Sequence, residues 1–101
     1  MRMLMIVHLP PEKFNKAVAD GTAGETIGRI LEDMKPEAVY FSEQDGNRGG
    51  IIVVDVSDPS QIPALAEPWF LNFNARTEFR IAMTPEDLQR AGLEELGKKW
   101  G

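Results

Sequence analysis

Met3-Leu4-Met5-Ile6-Val7-His8-Leu9 and Ile51-Ile52-Val53-Val54-Asp55-Val56 are apolar at almost every position. A strand with one wet face alternates apolar and polar residues. These two runs do not alternate, which is the pattern of a strand covered on both faces. Pro10-Pro11 ends the first run. The second follows Gln44-Asp45-Gly46-Asn47-Arg48-Gly49, a stretch dense in turn residues. Upstream of that turn, residues 37–43 carry the β-formers Val39, Tyr40 and Phe41. The two strands around the turn predict a hairpin.

The remaining segments connect these strands. Pro11 suits the first position of a helix, where a missing N–H costs nothing. Phe14, Ala17 and Val18 then recur at helical spacing up to Gly21. Thr22 and Glu25 have capping-box spacing and predict a restart, with Ile27, Ile30, Leu31 and Met34 as the apolar stripe. Pro36 ends this crossover. Asp58-Pro59 opens the next helix, whose buried side is Ala64, Leu65, Trp69 and Phe73. Pro68 lies inside it and is expected to kink or split it. Residues 77–83 form the last strand. Thr84-Pro85-Glu86-Asp87 starts a C-terminal helical tail bearing Leu88, Leu93, Leu96 and Trp100.

The order is β-α-β-β-α-β plus a tail. This predicts one α+β domain over residues 1–101 of the ferredoxin-like kind, with residues 84–101 as the tail. In that topology the first and third strands are central, and these are the two most apolar runs. Glu37, Glu43, Glu78 and Arg80 fall on the predicted edges, where charges discourage stray pairing. Two helices cover only one sheet face. Yet both parities are apolar, Met3, Met5 and Val7 against Leu4 and Ile6 in the first strand and Ile51 and Val53 against Ile52, Val54 and Val56 in the third, so whichever face the helices leave bare needs another cover. A second subunit placed sheet on sheet is preferred over a tail folded back, so a homodimer is expected.

Composition narrows the function. The chain has 101 residues, 43% of them hydrophobic and 27% charged, and carries no cysteine. Thiolate chemistry, disulfides and Cys-based metal centres are excluded, and a cytoplasmic setting is expected. A formal net charge of −5, with the cations dispersed, argues against nucleic acid. No segment approaches a membrane span. No metal site and no cofactor are expected: Asp55 and Asp58 are too few for a cation, and no glycine-rich phosphate loop follows a strand.

The strand Met3-Leu4-Met5-Ile6-Val7-His8, the stretch Lys35-Pro36-Glu37-Ala38-Val39-Tyr40-Phe41 and the run Asp58-Pro59-Ser60-Gln61-Ile62-Pro63-Ala64-Leu65-Ala66-Glu67-Pro68 resemble small bacterial proteins of unassigned function. These belong with the dimeric α/β-barrel superfamily, which includes muconolactone isomerases and antibiotic-biosynthesis-type monooxygenases. The resemblance covers nearly the whole chain. It implies a homodimer whose sheets close into a barrel. It carries no catalytic motif across.

Strand direction gathers polar residues at the end of the sheet where the first strand finishes. His8, the only histidine, is the candidate acid, base or donor there. Glu78, on the neighbouring strand, is its candidate partner. Tyr40 and Asn72 are candidates for orienting a carbonyl or phenol, and Trp69 for an aromatic wall. His8, Tyr40, Trp69, Asn72 and Glu78 thus form the expected ligand-binding set. The expected function is binding of a small, partly apolar or aromatic ligand without catalysis. The alternatives are a cofactor-independent isomerase or monooxygenase, and a purely structural dimer module.

Overall fold

The computed structural model describes residues 1–101. Its strands are β1 (Arg2–His8), β2 (Ala38–Phe41), β3 (Gly49–Asp55) and β4 (Arg76–Ile81). Its α-helices are α1 (Pro11–Ala19), α2 (Ala23–Met34), α3 (Ile62–Phe73), α4 (Pro85–Arg90) and α5 (Leu93–Trp100). The sheet is antiparallel in the order β2-β3-β1-β4, so the two most apolar strands are central. This is the ferredoxin-like α+β arrangement.

The crossover breaks where the sequence predicts. Gly21 adopts a φ of 82° between α1 and α2. Thr22 does not form the expected capping box, however: no side-chain cap bond is present at the start of α2. Its hydroxyl instead donates to Asp20 Oδ1 at 2.6 Å, and its N–H donates to the same oxygen. The short-range turn outcompetes the cap. Lys35 ends α2 as a left-handed C-cap, its N–H donating to the Leu31 carbonyl, and Pro36 follows where the helix cannot continue. α3 runs through Pro68 without splitting. Asp58 caps the 3-10 turn before it, accepting the Ser60 N–H at 2.9 Å. That bonding from Ser60 holds the Asp58 carboxyl below the usual carboxylate range.

Side-chain alternation divides the sheet. Met3, Met5 and Val7 of β1 and Ile52 and Val54 of β3 join Phe14, Ile30, Trp69 and Phe73 in one buried core. The opposite face carries Leu4, Ile6, Ile51 and Val53, and no helix lies over it. The tail does not fold back. Neither α4 nor α5 buries a residue, and Trp100 is 76% exposed. The molecule measures 59 × 28 × 19 Å, with a radius of gyration of 17.0 Å. A globular chain of this length has about 13 Å. The difference reflects a tail that stands away from the body. Thr84 begins it with a reciprocal box: its Oγ1 accepts the Asp87 N–H at 3.1 Å, and Asp87 Oδ2 accepts the Thr84 N–H at 3.0 Å.

Candidate functional site

β1 stops at His8 because Leu9 leads into Pro10-Pro11. Pro11 then opens α1. Across the same end of the sheet, β2 and β3 are joined by a tight hairpin. Gln44 and Asn47 exchange two backbone hydrogen bonds, of 2.8 and 3.1 Å. Between them Asp45 and Gly46 have φ of 56° and 81°. Positive φ at both central residues defines a type I′ turn, and Asp-Gly is the pair that tolerates it best. The turn brings the Asp45 carboxylate over the end of β4, 3.5 Å from Arg76 Nη2 and 3.8 Å from His8 Nδ1.

The register places His8 opposite Arg76 and Ile6 opposite Glu78, all on the helix-free face. His8 is mostly enclosed, with its side chain 15% exposed. Arg76 Nη2 lies 3.2 Å from His8 Nδ1. A guanidinium only donates, so Nδ1 is the acceptor and the neutral ring carries its proton on Nε2. Nε2 faces Glu78 Oε2 at 3.7 Å, too far for a hydrogen bond. It is screened from solvent and has no hydrogen-bond partner. Glu78 is also held by Arg76 at 3.3 Å and Arg80 at 3.2 Å. Beside this cluster, a shallow cavity of about 270 Å³ is bordered by His8, Pro10, Asp45, Asn74 and Arg76.

Of the five candidate residues, only His8 and Glu78 come together. Tyr40 shares their sheet face and lies in the cross-strand row of Glu78, paired with Ile51, which pairs in turn with Ile6. Three strand spacings separate it from Glu78, about 15 Å, and it is 65% exposed. Trp69 lies on the other side of the sheet, 1% exposed within the core and tilted against Phe73 at 6.2 Å. Asn72 is an exposed α3 residue whose Nδ2 donates to the Pro68 carbonyl one turn back at 2.7 Å.

A larger hollow was not anticipated. It measures about 630 Å³ and lies on the helix side of the same end, under the β2–β3 hairpin. Leu9, Phe14, Ile27 and Phe41 supply its apolar surface, with Glu43 and Arg48 among its polar residues. Phe41 lies beside Gly50, its partner across the β2–β3 ladder. Arg48 lies 5.2 Å from the Phe14 ring centroid and donates to Asn15 Oδ1. Phe14 and Ile27 were readable as helix-stripe residues. Nothing local in the sequence marks Phe41 or Arg48 as lining a cavity. A smaller cavity of about 220 Å³ marks the opposite, Asp55 end.

No known family model matches this chain, and no curated sequence matches it. Among solved structures, the chain is similar to 5-chloro-2-hydroxyhydroquinone dehydrochlorinase (TftG) from Burkholderia phenoliruptrix AC1100, in complex with 2,5-dihydroxybenzoquinone. The TM-score is 0.60 at 12% identity, over 85% of this chain and 97% of that one. The fold is shared. The likeness shows the fold alone and does not single out the small bacterial family. No helix here is long and apolar enough to cross a membrane.

Proposed function

We propose that the chain is a cytoplasmic homodimer that binds a small, partly apolar or aromatic ligand at the His8 end of its sheet. The observation that carries this reading is the hollow under the hairpin, about 630 Å³ with predominantly apolar walls and a few polar groups. That size and composition are typical of small-molecule sites. The helix-free face, on which Leu4, Ile51 and Val53 stay partly exposed, supports the second subunit. Light scattering after size exclusion is expected to give twice the chain mass at micromolar concentration. A single-chain mass at every concentration would remove the dimer from the proposal.

The ligand reading is tested by amide-shift mapping with single-ring fragments, among them phenol and 2,5-dihydroxybenzoquinone, the molecule bound by the structural neighbour. Shifts are expected at Phe14, Ile27, Phe41 and Arg48. Shifts that spare all four would overturn the hollow as the site.

A second reading, a cofactor-independent isomerase or monooxygenase, is favoured by His8 Nε2. It is a sequestered nitrogen without a partner, beside a carboxylate, which is the kind of group that transfers a proton to or from a substrate. His8→Gln retains hydrogen-bonding capacity and removes the imidazole. In the binding case the variant is expected to fold and bind ring fragments within about twofold of the unaltered chain. In the enzymatic case it folds and loses turnover by about 100-fold or more. Turnover that survives the substitution would rule His8 out as the acid–base group.

A further inference from the structure

Arg48 is the only cation lining the hollow, and the partners that hold it are neutral. Its guanidinium lies over the Phe14 ring at 5.2 Å and gives one N–H to the Asn15 side-chain oxygen. No carboxylate comes within ion-pair distance of it, whereas Arg2, Arg76, Arg80 and Arg90 each meet one. Glu43 lines the same hollow but is engaged elsewhere, accepting the Gly46 N–H at 2.6 Å. A guanidinium has five N–H donors in a rigid fork. Here the aromatic face and the amide orient that fork while leaving most of its donors free.

We propose that the hollow takes a ring-sized, apolar monocarboxylate, its carboxylate on Arg48 and its ring against Phe14, Ile27 and Phe41. This rests on the reading of the hollow as a ligand site and specifies the ligand's chemistry. Three observations select the class. The walls are predominantly apolar, so the body of the ligand is apolar. The planar fork of arginine matches a planar carboxylate in two parallel hydrogen bonds. Glu43 adds a negative charge beside the one positive charge, so a monoanion is tolerated better than a dianion such as a phosphate monoester.

Gly24 offers a way to close the hollow without touching Arg48. It lies near the start of α2 and lines the cavity, and a Cβ added there meets nothing within 4 Å. A leucine at this position projects into open space, and removal of a helical glycine favours the helix.

The test titrates 1-naphthoate, its neutral analogue 1-naphthamide, and phenyl phosphate into the unaltered chain, Arg48→Gln and Gly24→Leu. The unaltered chain is expected to bind naphthoate at least about tenfold more tightly than naphthamide. Arg48→Gln is expected to abolish that preference, so that naphthoate and naphthamide bind the variant with equal affinity. Gly24→Leu is expected to weaken both by about tenfold or more without lowering the melting temperature. Equal affinity for naphthoate and naphthamide on the unaltered chain would overturn the carboxylate proposal and leave the ligand reading standing. That comparison needs no variant, so a misfolded Arg48→Gln does not rescue the proposal. Tighter binding of phenyl phosphate would overturn the monoanion class. Failure of both naphthyl compounds to bind, or binding that ignores Gly24→Leu, would overturn the hollow as the site and the carboxylate proposal with it.

Discussion

Trp69→Ala is expected to lower the free energy of unfolding by about 3–5 kcal/mol, read from the urea midpoint. Trp69 is 1% exposed and stands between α3 and the sheet, in the same core as Phe73 and Met5. Phe73 in turn meets Phe14 at 5.1 Å, so the loss would be felt by both crossover connections. Trp69→Phe is expected to cost far less. It keeps most of the ring and removes an indole N–H that is buried without a protein partner. A midpoint unmoved by Trp69→Ala would show that the core does not close on this residue. It would also return Trp69 to the list of ligand contacts.

Gly49→Ala is expected to destabilise the fold by about 1–3 kcal/mol, measured by thermal or urea denaturation. A Cβ at Gly49 would lie 2.5 Å from the Val7 carbonyl oxygen and 2.5 Å from Gln44 Cγ. The Gln44 side chain can rotate away. The Val7 carbonyl belongs to the central strand and cannot move without disturbing the ladder of β1 with β3. Gly24→Ala is the matched control, since nothing lies within 4 Å of its added Cβ, and it should not lower stability. Equal behaviour of the two alanines would mean that the hairpin yields where the register says it is fixed.

The sheet was legible because its two central strands lack alternation. That single feature identified them as the central pair, and the topology followed from the turns and prolines between them. Helix capping was less legible: Thr22 has the spacing of a box, yet its hydroxyl turns back to Asp20, a choice between two local bonds of similar strength. The candidate site was legible only where two residues lie on adjacent strands. His8 and Glu78 meet because β4 pairs with β1 in one register. Tyr40 shares the row of Glu78 but lies across the full width of the sheet, a separation that depends on strand order. The hollow was illegible for a different reason. Phe14, Ile27, Phe41 and Arg48 come from four separate segments, and each has an ordinary local explanation as core, stripe, strand or turn residue. A cavity is the space those segments fail to fill, and no local pattern encodes that.

The position of β1 in the sheet has a consequence for how the chain reaches this structure. β1 is central and precedes both of its neighbours in the chain, β3, at residues 49–55, and β4, at residues 76–81. His8 pairs with Arg76 across 68 positions of sequence. Closing so long a loop costs chain entropy before any contact compensates it, whereas the β2–β3 hairpin closes over a two-residue turn. The hairpin can form early, but β1 cannot acquire its second neighbour until most of the chain exists. Until then β1, apolar on both faces, keeps one edge unpaired, which exposes it to misassociation in the nascent chain.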